Sequence, residues 1–185
     1  MGLSIVVYKI FEWHYMFNWN LTSFSIYDSE VFNWGYVVYR CDRSYNNSVY
    51  SLGGGVLIAF KSHLSSEILF VPDSNVIEIV FIKIKMLNFN VFVCCLYIPS
   101  GSSDDIYNSY SNVLKQFFKN FEIGSLDKVF IVGDFNLSSV DWVIDDTNVN
   151  VLLPTNITSL SAHYLHLSLL GQDLSQVNSV VNYQN

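Results

Sequence analysis

The side chains best suited to chemistry lie in residues 133–136, Gly-Asp-Phe-Asn, and at Tyr97. Asp134 and Asn136 are two residues apart, so in extended backbone their side chains point the same way. A carboxylate can orient or deprotonate water, and an amide or a phenol can donate a hydrogen bond to a phosphate oxygen. These groups predict a phosphate-ester site that activates water, although an Asx turn after a strand, with a solvated tyrosine, explains the same residues.

Two strongly apolar segments lead into these groups. Residues 91–98 and 129–132 are apolar at both alternating sets of positions, which predicts strands that are buried on both faces. Between them, residues 106–121 follow the i, i+3, i+4, i+7 pattern of an amphipathic helix, and Ser102 or Ser103 can cap it. A strand–helix–strand order predicts parallel strands, so Tyr97 and Asp134 are expected at the same sheet edge, where ligands commonly bind.

The remaining patterns predict an α/β layered domain with much antiparallel sheet. Short strands are expected at residues 36–40 and 56–60, the second of which follows three glycines. Residues 77–86 are expected to form a strand with one wet face at its end, because two lysines alternate with apolar residues there. A weaker helix is predicted over residues 159–170, ending near Gly171.

The composition of the chain limits which partners it can bind and indicates in which compartment it works. The chain has 9 basic and 16 acidic residues, a net charge of −7, which argues against a broad nucleic-acid surface and allows only a local DNA footprint. About half the residues are apolar, enough for a core, but the apolar runs are too short to predict a membrane span. No secretory signal is predicted, and the three cysteines suit free thiols in an intracellular protein.

Four segments in order resemble one protein family. Residues 129–137, VFIVGDFNL, resemble the GDFN signature of the endonuclease/exonuclease/phosphatase superfamily. Residues 36–43 with 53–59, residues 95–99, and Trp142 with residues 174–178 are similar to the endonuclease domain of non-LTR retrotransposons with a jockey-like reverse transcriptase. The resemblance makes residues 1–25 an atypical N-terminal segment and residues 26–185 a partial domain of this family, truncated at both ends.

The resemblance implies a fold, a reaction and roles for individual residues. The fold is a layered sandwich of two packed, mostly antiparallel sheets flanked by helices. The reaction is Mg²⁺-dependent phosphodiester hydrolysis that nicks nuclear DNA to prime reverse transcription, with a reverse transcriptase domain as partner. Asp134 would activate the water, Asn136 would hold the phosphate, and Tyr97 would donate to a phosphate oxygen. Arg40 and Arg43 are candidate phosphate contacts, or they form surface ion pairs with acids such as Asp42.

The chain also departs from the family pattern. Asn18 stands where the family has its Mg²⁺-binding glutamate, and Glu12 has the wrong spacing to replace it, so the metal ligand is unknown. The family's closing Ser-Asp-His segment has no counterpart before Asn185, and neither His163 nor His166 matches its histidine. We therefore expect little or no nuclease activity from this chain as it stands. The alternatives are a non-catalytic binding domain and a phosphomonoesterase on the same scaffold.

Overall fold

The structure is a computed structural model that describes residues 6–9, 28, 32–42, 55–70, 77–137, 140–172 and 174. The chain divides into two compact units. The first comprises Met1–Ile98 with Ile123–Phe135, and the second comprises Pro99–Glu122 with Asn136–Asn185. Asn18, Glu12 and Arg43 lie outside the described residues.

The first unit contains two β-sheets. One has three antiparallel strands, β1 (Val6–Lys9), β2 (Tyr36–Asp42) and β3 (Gly55–Lys61), in the order β1-β3-β2. The other has four strands in sequence order, β4 (Ser65–Phe70), β5 (Glu78–Lys85), β6 (Asn90–Tyr97) and β7 (Lys128–Asp134). Strands β4, β5 and β6 are antiparallel, whereas β6 and β7 are parallel, as the strand–helix–strand pattern predicts.

The two sheets pack face to face through one apolar cluster. Alternate residues of β3 meet alternate residues of β5 and β6, because successive side chains of a strand point to opposite faces. The buried members are Val56, Ile58, Phe60, Val80, Ile82, Ile84, Val91, Val93 and Cys95. Removing each such side chain from water contributes about 1.5–3 kcal/mol to folding, so this cluster is the main stabilising feature of the sandwich.

The predicted strands are found in the structure, with one error in burial. Residues 91–96 of β6 are all buried, and β5 is buried except at Lys83 and Lys85, as the sequence indicates. The prediction that residues 129–132 are buried on both faces is wrong, because no residue of β7 is buried and Phe130 is 45% exposed. The reason is position: in the described part of the chain, β7 pairs only with β6 and lies at the sheet edge.

The second unit contains helices and a hairpin. Helix α1 (Asp104–Asn120) and helix α2 (Leu160–Leu170) match the two predicted helices, and β8 (Trp142–Asp145) pairs with β9 (Asn148–Pro154). Ser103 is the N-cap residue of α1 but makes no side-chain capping bond, while two aspartates in the first turn face the positive end of the helix dipole. Ser159 caps α2 by accepting a hydrogen bond from the Ala162 N–H at 3.1 Å.

The observed combination of a two-sheet sandwich, a mixed sheet and helices confirms the predicted α+β class. Within the ranges that the structure describes, no helix has both the length and the apolar character needed to cross a membrane.

Candidate active site

Tyr97 and Asp134 occupy neighbouring positions at one end of the four-stranded sheet. They are register partners in the parallel pair β6–β7. The ladder continues one residue further, because the Ile98 N–H donates to the Asp134 carbonyl at 2.9 Å. The sequence prediction that both groups lie at the same sheet edge is therefore confirmed, and their catalytic roles stay a prediction.

Gly133 allows β7 to approach β6 closely just before Asp134. Its φ of +142° is a conformation that residues with a Cβ rarely adopt. A Cβ at this position would lie 1.8 Å from the Leu96 carbonyl oxygen, far inside van der Waals contact. The glycine is thus required by the backbone that holds Asp134 beside Tyr97.

Asn136 differs from its predicted geometry. Strand β7 ends at Asp134, and Asn136 has a φ of +48°, in the left-handed region that asparagine tolerates better than most residues. The backbone is therefore not extended through residue 136, so the argument that Asp134 and Asn136 point the same way by strand alternation was wrong. In the second unit, the Tyr107 phenol donates to the Asn136 carbonyl at 3.0 Å and fixes this turn.

Glu78 is a member of the same row that the sequence analysis missed. It begins β5, it is the register partner of Tyr97, and only 7% of its surface is exposed. Cross-strand partners share a face of the sheet, so Glu78, Tyr97 and Asp134 lie side by side on three adjacent strands. In the sequence, Glu78 is recognisable only as one acidic residue at the start of an apolar strand. Its proximity to Tyr97 and Asp134 becomes evident only from the register of the strands.

The row lies on the inner face of the sheet. Glu78 lies on the same face of β5 as Val80 and Ile82, which belong to the apolar cluster, and Tyr97 itself packs against that cluster. Cys41 of β2 packs against the same cluster, and its thiol donates to the Ile77 carbonyl at 3.8 Å. Burial raises the pKa of this thiol, and the Glu78 charge adds to that increase. The polar row therefore closes one end of the core between the two sheets.

Arg40 is held by carboxylates on the outer side of β2. Its Nη1 donates to Asp28 at 2.8 Å, and its Nε donates to Asp42 at 2.7 Å. The structure thus contains the ion pair that the sequence analysis gave as one alternative for Arg40. Phosphate contact by Arg40 or Arg43 stays a prediction.

The other titratable side chains show the effects of burial. Burial raises the pKa of the Cys95 thiol to about 12, and it raises the pKa of Cys94 as well, so both are inert thiols at neutral pH. All three cysteines are free, as the sequence predicts. On α2, burial lowers the pKa of His166, and the neighbouring His163 lowers it further.

The described residues do not include a complete set of protein ligands for a metal ion. No group of three or more His, Cys, Asp or Glu side chains lies close enough there to hold an ion. At the end of the inner face, the hard oxygen donors are the carboxylates of Glu78 and Asp134.

Comparison with known proteins gives a distant structural likeness. No family model and no curated protein matches the chain. Among solved structures, it is similar to the endonuclease domain of TRAS1, a telomere-specific non-LTR retrotransposon, with a TM-score of 0.46 and 15% sequence identity over 74% of this chain. The match covers 52% of that structure's chain, so this chain spans about half of its length. At this level of similarity, we base the functional proposal on the residues of this chain and their geometry.

Proposed function

We propose that this chain is an endonuclease-type phosphodiesterase domain that nicks DNA, as the endonuclease domains of non-LTR retrotransposons do to prime reverse transcription. The observation that carries the proposal is the register pairing of Tyr97 with Asp134 at the carboxyl ends of two parallel strands. This pairing supports the resemblance of residues 129–137 to the GDFN signature, because it brings a phenol from a distant segment beside the motif carboxylate. A reverse transcriptase domain would act with this one, in the nucleus.

The proposed chemistry divides the work among three groups. Asp134 accepts a proton from a water molecule as the water oxygen attacks phosphorus. The P–O bond to the leaving oxygen breaks, and that oxygen takes a proton from solvent. The Tyr97 phenol donates a hydrogen bond to a non-bridging phosphate oxygen, where negative charge increases in the transition state. For the Asn136 amide, the family resemblance alone implies a role, which is to hold the phosphate during attack.

Magnesium fits the donor set as an ion shared with the substrate. Mg²⁺ in nucleotide-processing sites is held by one or two carboxylates, with waters and phosphate oxygens as the other ligands. Asp134, with Glu78 on the same row, supplies oxygen donors of this kind. When bound, the ion would polarise the phosphate and stabilise the leaving oxygen.

Of the little or no activity expected from the sequence, we propose the former: turnover by this chain is slow and not zero. Asn18 stands where the related domains have a glutamate ligand, and a neutral amide binds a hard cation more weakly than a carboxylate does. A plasmid-nicking assay with protein in excess over DNA is sensitive enough for a slow enzyme, because one nick converts a supercoiled molecule to a relaxed one.

The test is Mg²⁺-dependent nicking of supercoiled plasmid by the purified chain and its variants. Asp134→Ala is expected to lower the rate by about 10²-fold or more, because it removes the general base. Tyr97→Phe is expected to lower it by about 10²-fold, because it removes one hydrogen-bond donor to the phosphate and keeps the ring. Asp146→Ala, at an exposed hairpin turn, is the matched control and should leave nicking unchanged.

Two small substrates separate the competing functions. Hydrolysis of bis(p-nitrophenyl) phosphate but not of p-nitrophenyl phosphate agrees with a phosphodiesterase. The reverse preference supports the phosphomonoesterase alternative and contradicts the proposal. Nicking that persists in Asp134→Ala also rejects the proposal. Absence of hydrolysis with every substrate rejects it as well, and supports a non-catalytic binding domain.

A further inference from the structure

The three most exposed of the large apolar side chains that the structure describes lie at one end of the sandwich. Leu87 is 96% exposed, Trp34 is 95% exposed and Leu126 is 65% exposed. Keeping such side chains in water is unfavourable. Single exposed apolar residues are ordinary, whereas several on one surface indicate an interaction site.

Hydrogen bonds and strand register place the turns of this end side by side. Trp34 lies in the turn before β2, and this turn meets the β3–β4 turn where the Ser62 N–H donates to the Gly35 carbonyl at 2.9 Å. Strand β4 leaves that second turn beside the end of β5, because Ser65 is the register partner of Lys85. The end of the three-stranded sheet therefore adjoins the end of the four-stranded sheet.

Leu87 and Leu126 lie in the next two turns of the same end. Leu87 is in the turn that joins β5 to β6. Asn90, which follows this turn, donates its backbone N–H to the Asp127 carboxylate at 2.7 Å, and Leu126 directly precedes Asp127. All these turns belong to the first unit. Strand β6 runs from Asn90 to Tyr97, so this end is about 20 Å from the proposed site.

Three lysines lie at the strand ends beside these turns. Lys61 is the last residue of β3, Lys85 is the last of β5 and Lys128 is the first of β7. Two carboxylates also lie here, and each is bonded within the fold: Glu67 is 3.7 Å from the Lys85 ammonium, and Asp127 accepts hydrogen bonds from neighbouring turns. The aliphatic stem of a lysine can lie along an apolar layer while its ammonium contacts anions at the boundary with water.

We propose that this turn surface, formed by Trp34, Leu87 and Leu126 with the three lysines, docks on an anionic phospholipid membrane. The apolar side chains insert at the boundary between head groups and acyl chains, where tryptophan is favoured. The lysines contact the anionic head groups. The inference does not rest on the proposed function, since this surface lies at the opposite end of the strands from Tyr97 and Asp134.

The shape and chemistry of the turn surface favour a membrane over other partners. Trp34 and Leu87 protrude from separate turns, so a folded protein partner would need a preformed pocket for each, whereas a fluid bilayer needs none. Single-stranded nucleic acid binds by stacking its bases on aromatic rings, which the two leucines do not provide. The net charge of −7 does not prevent docking, because salt screens charges beyond about 8 Å and those at the contact count most.

The experiment measures partitioning of the purified chain onto sedimented vesicles. One set contains phosphatidylcholine with one-third phosphatidylserine, and the other contains phosphatidylcholine alone. Leu87→Ser and Leu126→Ser should each weaken binding to the anionic vesicles about 10-fold, because each removes an inserting side chain. Ile144→Ser is the matched control: Ile144 is 60% exposed, but it lies in the β8–β9 hairpin of the second unit, so its loss should leave binding unchanged.

Two further measurements separate insertion from adsorption by charge. Lys128→Gln should lower the affinity for anionic vesicles about 5-fold and leave the affinity for phosphatidylcholine unchanged. Trp34 reports insertion directly: the fluorescence difference between wild type and Trp34→Phe should shift to the blue on anionic vesicles. Lipids that carry bromine on their acyl chains should quench it. Each substituted side chain is largely exposed, so circular dichroism should show folded variants.

Each outcome supports or overturns the inference. Binding that both leucine variants weaken and Ile144→Ser does not, with a blue shift from Trp34, supports it. Absence of binding to either set of vesicles overturns it, as does binding that the leucine variants leave unchanged. Quenching of Trp34 by an oligothymidylate without vesicle binding assigns the surface to nucleic acid. A self-association that Leu87→Ser abolishes, again without vesicle binding, assigns it to a protein contact, and either result overturns the proposal.

Discussion

At the scale of single residues, Gly133 decides whether the site can form. It lies in β7, where the backbone approaches Leu96 of β6 more closely than any Cβ permits, and it takes a φ that other residues avoid. Asp134 follows directly, so the strained backbone and the proposed catalytic carboxylate are adjacent. A change at Gly133 therefore acts on stability and on the site together.

Gly133→Ala is expected to lower the free energy of unfolding by about 3 kcal/mol or more, since the unfavourable φ alone costs about 1–3 kcal/mol and the contact with Leu96 adds to it. Gly101→Ala is the matched control. Gly101 also has a positive φ, of +74°, but a Cβ there meets no atom within 4 Å. Urea unfolding should show a loss of only about 1–2 kcal/mol for Gly101→Ala. Equal losses for the two variants would mean that the contact with Leu96 contributes nothing.

The sequence predicts individual site residues only as far as local rules apply. Tyr97 and Asp134 were identified because each ends an apolar strand, and the parallel pairing placed them together as expected. Asn136 was placed by strand alternation, which fails because the strand ends two residues earlier. Glu78 was missed because its neighbours belong to other strands, and only the register makes them adjacent.

At the scale of elements, the apolar patterns predicted type and length well and burial less well. Both helices and the strands β2, β3, β5, β6 and β7 were recognised from periodicity and turn residues. The burial of β7 was predicted wrongly, because an apolar run shows that a strand can be buried but does not show how many neighbouring strands cover it. The hairpin β8–β9 was not predicted from the sequence, in part because its strands expose several apolar side chains.

The turn that precedes β7 is fixed by one carboxylate. Asp127 accepts hydrogen bonds from the Asn90 backbone N–H at 2.7 Å, from the Asn90 side chain at 3.2 Å and from the Gly124 N–H at 2.9 Å. It thereby joins the start of β6 to the segment that leads into β7. The Asn90 backbone bond, followed by the Gly124 bond, holds the pKa of Asp127 below its usual value.

Asp127→Asn is expected to lower the free energy of unfolding at pH 7 by roughly 1–2 kcal/mol, because the charged acceptor is lost. A carboxylate with a depressed folded pKa stabilises the fold above its unfolded pKa of about 3.9, and this contribution is lost as the pH falls through the folded value. The difference between wild type and variant in urea unfolding should therefore shrink below about pH 4. Asp146→Asn, in an exposed turn, should show no difference at either pH, and a pH-independent loss for Asp127→Asn would contradict the electrostatic explanation.

At the scale of the whole molecule, charge limits how DNA can be bound. Sixteen acidic residues against nine basic ones give a net charge of −7, so long-range attraction to DNA is absent. Arg40, a candidate for phosphate contact, is bonded to two aspartates. If the chain acts on DNA as we propose, binding must then depend on a small local footprint, which stays a prediction from composition.

The affinity for a fluorescent duplex of DNA should accordingly depend only weakly on salt. Each neutralised phosphate contributes a slope of about −0.9 in the plot of log affinity against log salt concentration, so one or two contacts predict a slope between about −1 and −2. Fluorescence anisotropy over a range of NaCl concentrations at fixed Mg²⁺ measures it. A slope steeper than about −4 would show a broad basic surface that the composition does not predict.

The parallel pairing of β6 and β7 also sets the order in which the site assembles. Strands β5 and β6 are joined by a short turn, so Glu78 and Tyr97 become neighbours through a local hairpin. Strand β7 starts 31 residues after the end of β6, since 128 − 97 = 31, and helix α1 lies between them in the chain. Closing that longer loop comes at a larger entropic cost and joins partners far apart in sequence. During folding, Glu78 is therefore expected to reach Tyr97 before Asp134 joins the row.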